Sequence, residues 1–392
     1  MSEYQYVGFR AIDAPLSEKN LKYVRTQSSH ADITPWSFDS EYAYGDFHGD
    51  APEMLRRGYD VYFHYANFGV RTLTIRLPDG LPQAAAAEPY FIEDSLEFQK
   101  DKQGKGGLLV IDPCYEADEL EQIFEHAGFL ARLLPLRAEI LEGDLRPFYL
   151  ANLAVACDMN HDLEEWQEPP VPAGLDQLTD AQTALAEFYG LADALLAAAA
   201  RNAPSMGTRT ARGNKGRANK DGSNANGADQ YAAWLASQPV ALKNEWLATL
   251  MADPHAAVRS QLLVEFRKSQ APTLWPTAKL GRTMAELEST AVEIQQEQSR
   301  RKSAAAAKSR AKRLEKLASD PQKALRETEE LVTTRTTAGY NEAANLLADL
   351  RESLTGTKDS ALADRQAQKL KNSHPKSGSL AAALRKQGFL KK

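Results

Sequence analysis

Residues 201–228, RNAPSMGTRTARGNKGRANKDGSNANGA, hold no large aliphatic side chain except Met206, and six basic residues precede the first acid, Asp221. So little apolar surface cannot offset the entropy lost on ordering. The segment therefore reads as a disordered basic linker, and the 392-residue chain has to fold as separate parts on either side of it. Those parts differ in chemistry. Residues 1–200 carry 14 Lys+Arg against 34 Asp+Glu, while residues 201–392 carry 33 against 19, so the formal net charge of −6 conceals halves of −20 and +14. Of the 32 Phe, Trp and Tyr residues, only Tyr231, Trp234, Trp246, Phe266, Trp275, Tyr340 and Phe389 lie beyond residue 201. An aromatic-rich acidic half reads as a globular body, and an aromatic-poor basic half as Ala-rich helix. Charge asymmetry of this size points to an interaction protein.

Local patterning predicts an α+β fold. Residues 4–12, 33–44, 61–68 and 70–77 are rich in β-branched and aromatic types and read as strands, the last two as a hairpin turning at Asn67–Gly69. Helices are expected at 17–27 and 52–57, and two more strands, one within 90–99 and one at 108–111, flank Gly104–Gly107. Residues 1–113 thus form a mixed α/β sheet domain. From Ala117 the apolar spacing becomes helical, with Leu120, Ile123, Phe124 and Ala127 on one stripe. Helical signal continues at 136–141 and 147–157 and in a single helix from Thr179 to about Ala200, so residues 114–200 read as a helical layer packed on the sheet.

Residues 229–392 read as an all-helical module, with helices at 229–237, 240–251, 254–269, 321–332 and 337–354 and a short terminal helix. Between them, Thr283 opens a run free of Pro and Gly up to Asp320, a helix of about 36 residues and roughly 54 Å. Met284, Leu287, Ala291 and Ile294 fall on one side of it, and Ala304, Ala307, Ala311, Leu314 and Ala318 nearly opposite. Such a rod is buried on different sides at its two ends, or it breaks near residues 299–303.

The strongest candidate for chemistry lies on this run. Arg300, Arg301, Lys302, Lys308, Arg310, Lys312, Arg313 and Lys316 face a single acid, Glu315, across SRRKSAAAAKSRAKRLEK. Six of the eight fall within an arc of roughly 140° opposite the Ala304/Ala311/Leu314 stripe, so a docked helix presents a cationic ridge suited to a row of phosphates. The bland alternative is a solvated helix face answered by the acidic body. With few aromatics nearby, contact with nucleic acid would run through the backbone and not through base stacking.

Weaker constellations stand beside it. Cys157 and His161 stand at i, i+4, but Cys114 is alone, so no second metal-ligating pair completes a site. Asp39, Glu41, Asp46, His48 and Asp50 crowd carboxylates and an imidazole among aromatics, the arrangement an acid–base enzyme would use, although a strand edge accounts for it equally. Gly104, Gly106 and Gly107 lack both the Walker and the dinucleotide spacing. No cofactor is implied. The sequence lacks a signal peptide and any stretch near ~18 apolar residues, so no membrane is expected, and two cysteines suit a reducing, cytoplasmic setting.

At Tyr340–Ser353, YNEAANLLADLRES resembles the helical tail that follows the metal module of bacterial SWIM zinc-finger family proteins, and the closing LAAALRKQGFL is similar to how such tails end. The zinc ligands of that family, Cys-x-Cys…Cys-x-His, are absent, so no zinc function carries over. The whole chain is also similar to a group of uncharacterised bacterial proteins, which implies a cytoplasmic bacterial origin. The expected function is a non-enzymatic adaptor: an acidic body docks a protein partner, and a basic arm meets nucleic acid or a complex bound to it. Two alternatives stand beside it, an enzyme with its site in residues 1–200, and a homo-oligomeric structural protein whose arm docks on the body.

Overall fold

The computed structural model describes residues 3–43, 45–81, 83–102, 106–113, 125–158, 166–205, 225–252, 258, 262, 265, 266, 269 and 275–391, with backbone alone at 158 and 225–230. Most of the linker segment, the Leu120/Ile123/Phe124 stripe and most of 254–269 lie outside them. The chain divides into two compact units, Met1–Ile294 and Gln295–Lys392. Residues 229–294 therefore belong with the first unit, not with the C-terminal module to which their helical composition had assigned them.

Seven strands, Tyr4–Arg10 (β1), Asp32–Ile33 (β2), Ser37–Ala43 (β3), Val61–Ala66 (β4), Arg71–Pro78 (β5), Leu96–Lys100 (β6) and Gly106–Ile111 (β7), form an antiparallel sheet in the order β2-β3-β1-β4-β5-β7-β6. Alternation along the strands gives it two apolar faces. Val7, Phe9, Phe38, Tyr62 and Leu108 face one way, into a core closed by the helices Glu18–Arg25 (α1) and Ala51–Arg56 (α2). Tyr6, Phe63, Tyr65, Leu73, Ile75, Leu109 and Ile111 face the other, into the larger core. That second face is covered by the expected helical layer, seen as His126–Leu133 (α4), Pro135–Leu141 (α5), Arg146–Asp158 (α6), Asp180–Phe188 (α7) and Asp193–Ala200 (α8), after a single turn at Ala84–Ala87 (α3). Gly8 permits the close approach, since a Cβ there would stand 2.8 Å from Leu130 Cδ2 of α4. The helix expected from Thr179 to Ala200 is two helices, because Gly190 takes φ +69° and turns the chain between α7 and α8.

Two further helices, Ala225–Ser237 (α9) and Val240–Ala252 (α10), follow, the first starting inside the segment read as linker. The chain then returns to the body. Val171–Pro172 (β8) pairs with Thr277–Ala278 (β9), a strand within the stretch read as wholly helical. Around this pairing, Trp275 Nε1 donates to Ala173 O at 3.1 Å, and the Arg146 guanidinium stands 5.0 Å over the Trp275 ring. Arg282 grips a fully buried Glu168 carboxylate bidentately at 2.7 and 2.6 Å. The same guanidinium donates to the carbonyls of Ala198, Ala199 and Arg201 at the end of α8. Met284, Leu287 and Ala291 then enter the larger core.

These three residues open Met284–Ser319 (α11), a single unbroken helix of 36 residues. No break occurs at 299–303. In the second unit Pro321–Thr333 (α12), Thr337–Ser353 (α13), Leu362–Ser373 (α14) and Gly378–Lys386 (α15) pack around Val332, Ala343, Leu347, Leu350, Leu380 and Leu384, with Leu317 of α11 at the edge. Asp320, Thr336 and Ser377 cap the N-termini of α12, α13 and α15. The resemblance segment at 340–353 lies within α13 and supplies much of this core. No helix among the described residues is long and apolar enough to cross a membrane.

The fork on Glu168 gives a direct test. Removing one partner of a buried ion pair strands the other, at about 3–5 kcal/mol, so Arg282→Ala should lower urea-unfolding stability by that amount. Arg282→Lys should recover only a part, because an ammonium cannot reproduce the planar fork. Equal midpoints for wild type and Arg282→Ala would show that the clasp does not hold the segment.

Candidate functional site

The eight cations of the ridge all lie on α11, in the part belonging to the second unit, and all are exposed. Helical sequence around them is continuous because fifteen residues from Arg300 to Leu314 contain neither Gly nor Pro, and alanines supply the best intrinsic propensity. The fold divides the eight into two groups. Arg310 reaches Glu352 at 2.5 Å and Asp349 at 3.8 Å, and Arg313 reaches Asp349 at 3.0 Å, all across to α13. The hydrogen bond and charge of Glu352, then the charge of Asp349, hold the Arg310 guanidinium above its ordinary value. These two arginines help set α11 against α13 and are not free for a ligand.

Of the remaining six, Lys302 falls about 20° from Arg313 some three turns earlier, and the other five point elsewhere. At 100° per residue Arg301, Lys308, Lys312 and Lys316 centre roughly 140° away from the side that Arg310, Arg313 and Leu317 turn to α13. Lys308, Lys312 and Lys316 stand at successive rises of about 6 Å. Arg301 pairs with Glu297 one turn earlier at 2.5 Å, an exposed i, i+4 pair that contributes little and exchanges easily. Arg300, Lys302, Lys308, Lys312 and Lys316 form no ion pair among the described residues. The Ala304/Ala307/Ala311 stripe expected to dock is itself exposed, so this stretch of helix meets solvent on every side.

The acid-rich strand does not assemble a catalytic pocket. Asp39 is taken up by Arg10 at 2.7 Å and by the Tyr6 hydroxyl. Asp50 caps α2 through Glu53 N at 2.9 Å, and Asp46, His48 and Asp50 are exposed. Burial first, and then Asp39, raise the Tyr6 phenol well above its ordinary range; burial first, and then Glu41, push Tyr4 up to about 12. Sequence reasoning missed the histidine that the fold does connect to this strand. Asp46 Oδ1 accepts from Gln5 Nε2 at 2.6 Å, and Gln5 Oε1 meets His64 Nε2 at 2.8 Å, a chain that crosses from the loop after β3 through β1 to β4. Only the β1–β4 register, Gln5 beside Ala66 and Val7 beside His64, brings these groups together.

The other candidates are similarly resolved. Cys157 is half-buried near the end of α6, while His161 lies outside the described residues, and no group of metal-ligating side chains gathers among those described. Gly104 also lies outside them; Gly106 and Gly107 belong to β7, where a Cβ on Gly106 would stand 2.2 Å from Leu77 O. They serve strand packing.

His64 yields a pH dependence. Burial pushes its imidazole down to about 4 against the opposing pull of Asp46, and Gln5, Asp46 and Tyr62 are the groups that face it. The unfolded chain takes up this proton near pH 6.5 and the folded chain does not, so stability is present above that pH and is lost as pH falls toward 4. Between pH 7 and pH 5 the loss from this group should be about 2 kcal/mol by urea unfolding, and His64→Gln should reduce the total loss by that amount, leaving the part due to His126, whose imidazole burial also pushes down. Identical pH dependence in the variant would reject the assignment.

Comparison of the chain with known family models, curated proteins and solved structures gives no match.

Proposed function

We propose that this protein is a non-enzymatic adaptor whose long helix contacts the phosphate backbone of nucleic acid, alone or within a larger complex, while its acidic body engages a protein partner. One observation carries the reading: Arg300, Lys302, Lys308, Lys312 and Lys316 stand on an exposed helix with no carboxylate answering them among the described residues, although two neighbouring arginines are so answered. A cationic helix left unneutralised is what a polyanion recognises, through release of condensed counterions. Residues 276–339 contain no aromatic side chain, so recognition runs along sugar and phosphate with little dependence on base sequence.

The test is binding of the full chain to a 30-base-pair DNA duplex by fluorescence anisotropy across a salt series. Five neutralised phosphates give a slope of log K against log salt of about −4.5. Lys308→Glu, Lys312→Glu and Lys316→Glu together should abolish binding and leave the melting temperature unchanged, because none of the three touches the core. Scrambling the duplex sequence should change affinity by less than about twofold. Unaltered affinity in the triple variant would remove the proposal.

A further inference from the structure

The first unit contains a cavity that no part of the reading above uses. It measures about 760 Å³ and lies between the helical layer and α9–α10. Ile12, Leu134 and Leu141 form one wall, and Trp234, Leu250 and Leu262 the facing one. A volume in this range, with mainly apolar lining and a few placed polar groups, is typical of small-molecule sites. Water is poorly served there, since an ordered water needs two to four polar partners.

The polar groups define what would enter. Arg137 lines the cavity, but its guanidinium is consumed: Asp13 takes it bidentately at 3.0 and 2.6 Å, Asp60 lies at 3.4 Å, and its Nε donates to Arg76 O at 2.8 Å. Among the described lining residues no free positive charge is left to hold an anion. Glu142, exposed at the end of α5, adds a negative charge to the lining. Trp234 stacks on Trp246 with centroids 5.9 Å apart and meets Phe266 edge-on at 5.5 Å, which fixes the indole. Its Nε1–H is buried without an acceptor among the described residues and is closed to solvent, so Trp234 offers the cavity its ring and not its donor.

We infer that this cavity binds a small, uncharged, largely apolar molecule that packs against the Trp234 ring. Apolar bulk fills the space between the apolar walls, the fixed indole ring offers a flat face, and the acidic surplus among the described lining residues disfavours anions. The site belongs to the first unit and the basic ridge to the second, and the inference does not rest on nucleic-acid contact.

Nile red, an uncharged aromatic dye, is the probe. Titrated into the full chain, it should show blue-shifted emission that saturates at one equivalent, whereas the anionic dye 1-anilinonaphthalene-8-sulfonate should bind at least about tenfold more weakly. Ala138→Trp, placed on an exposed position of α5 that lines the cavity, should fill it and weaken Nile red at least about tenfold with an unchanged melting temperature. If Ala138→Trp shifts the melting temperature, Leu250→Trp from the facing wall puts the same question. Absence of saturable Nile red binding, or equal affinity in a stably folded filled variant, would overturn the inference.

Discussion

Glu168 is a carboxylate with no solvent exposure, and such a charge is tolerable only when opposite charge and hydrogen bonds surround it. Arg282 supplies both, from 114 residues further along the chain. Its guanidinium fixes more than the carboxylate. It also satisfies carbonyls left open at the end of α8, and its own backbone carbonyl accepts from Glu168 N at 2.9 Å. Once this fork closes, β9 lies beside β8 and Met284, Leu287 and Ala291 are delivered into the larger core. The start of the long helix, up to Ile294, is thereby tied to the sheet domain.

The same helix shows how one run of like charge serves two purposes. Arg310 and Arg313 are guanidinium groups whose forks suit carboxylates, and they are the two spent on Asp349 and Glu352. The cations left unpaired are mainly lysines, compact and strongly hydrated charges that hold their place in water and suit phosphate as point charges. Exposure of the alanine stripe between them follows from its size: a methyl group buries too little area to compel docking. The helix persists there because Ala, Lys and Arg favour helix without tertiary help.

Much of the fold was legible in the residues. Strands β1, β4 and β5, the helix starts near residues 17, 179 and 321, and the Pro-free run that becomes α11 all follow from side-chain type and spacing over a few residues. The break at Gly190 was harder to see, since a single glycine in an Ala- and Leu-rich run is compatible with either one helix or two. The allegiance of residues 275–294 was not visible at all. Their helical composition spoke for the C-terminal module, whereas Trp275 and Arg282 bind partners at Ala173 and Glu168 that no local pattern could nominate.

The candidate sites divide along the same line. By itself the sequence determined that a cationic helix exists, because charge and helical propensity are properties of neighbouring residues. Only the tertiary structure decided which of its eight cations remain open, that Asp46 looks through Gln5 to His64 and not to His48, and that an apolar cavity opens beside Trp234. Each of those outcomes rests on groups separated by about forty residues or more in the chain, whose approach is fixed by strand register and by the packing of whole helices.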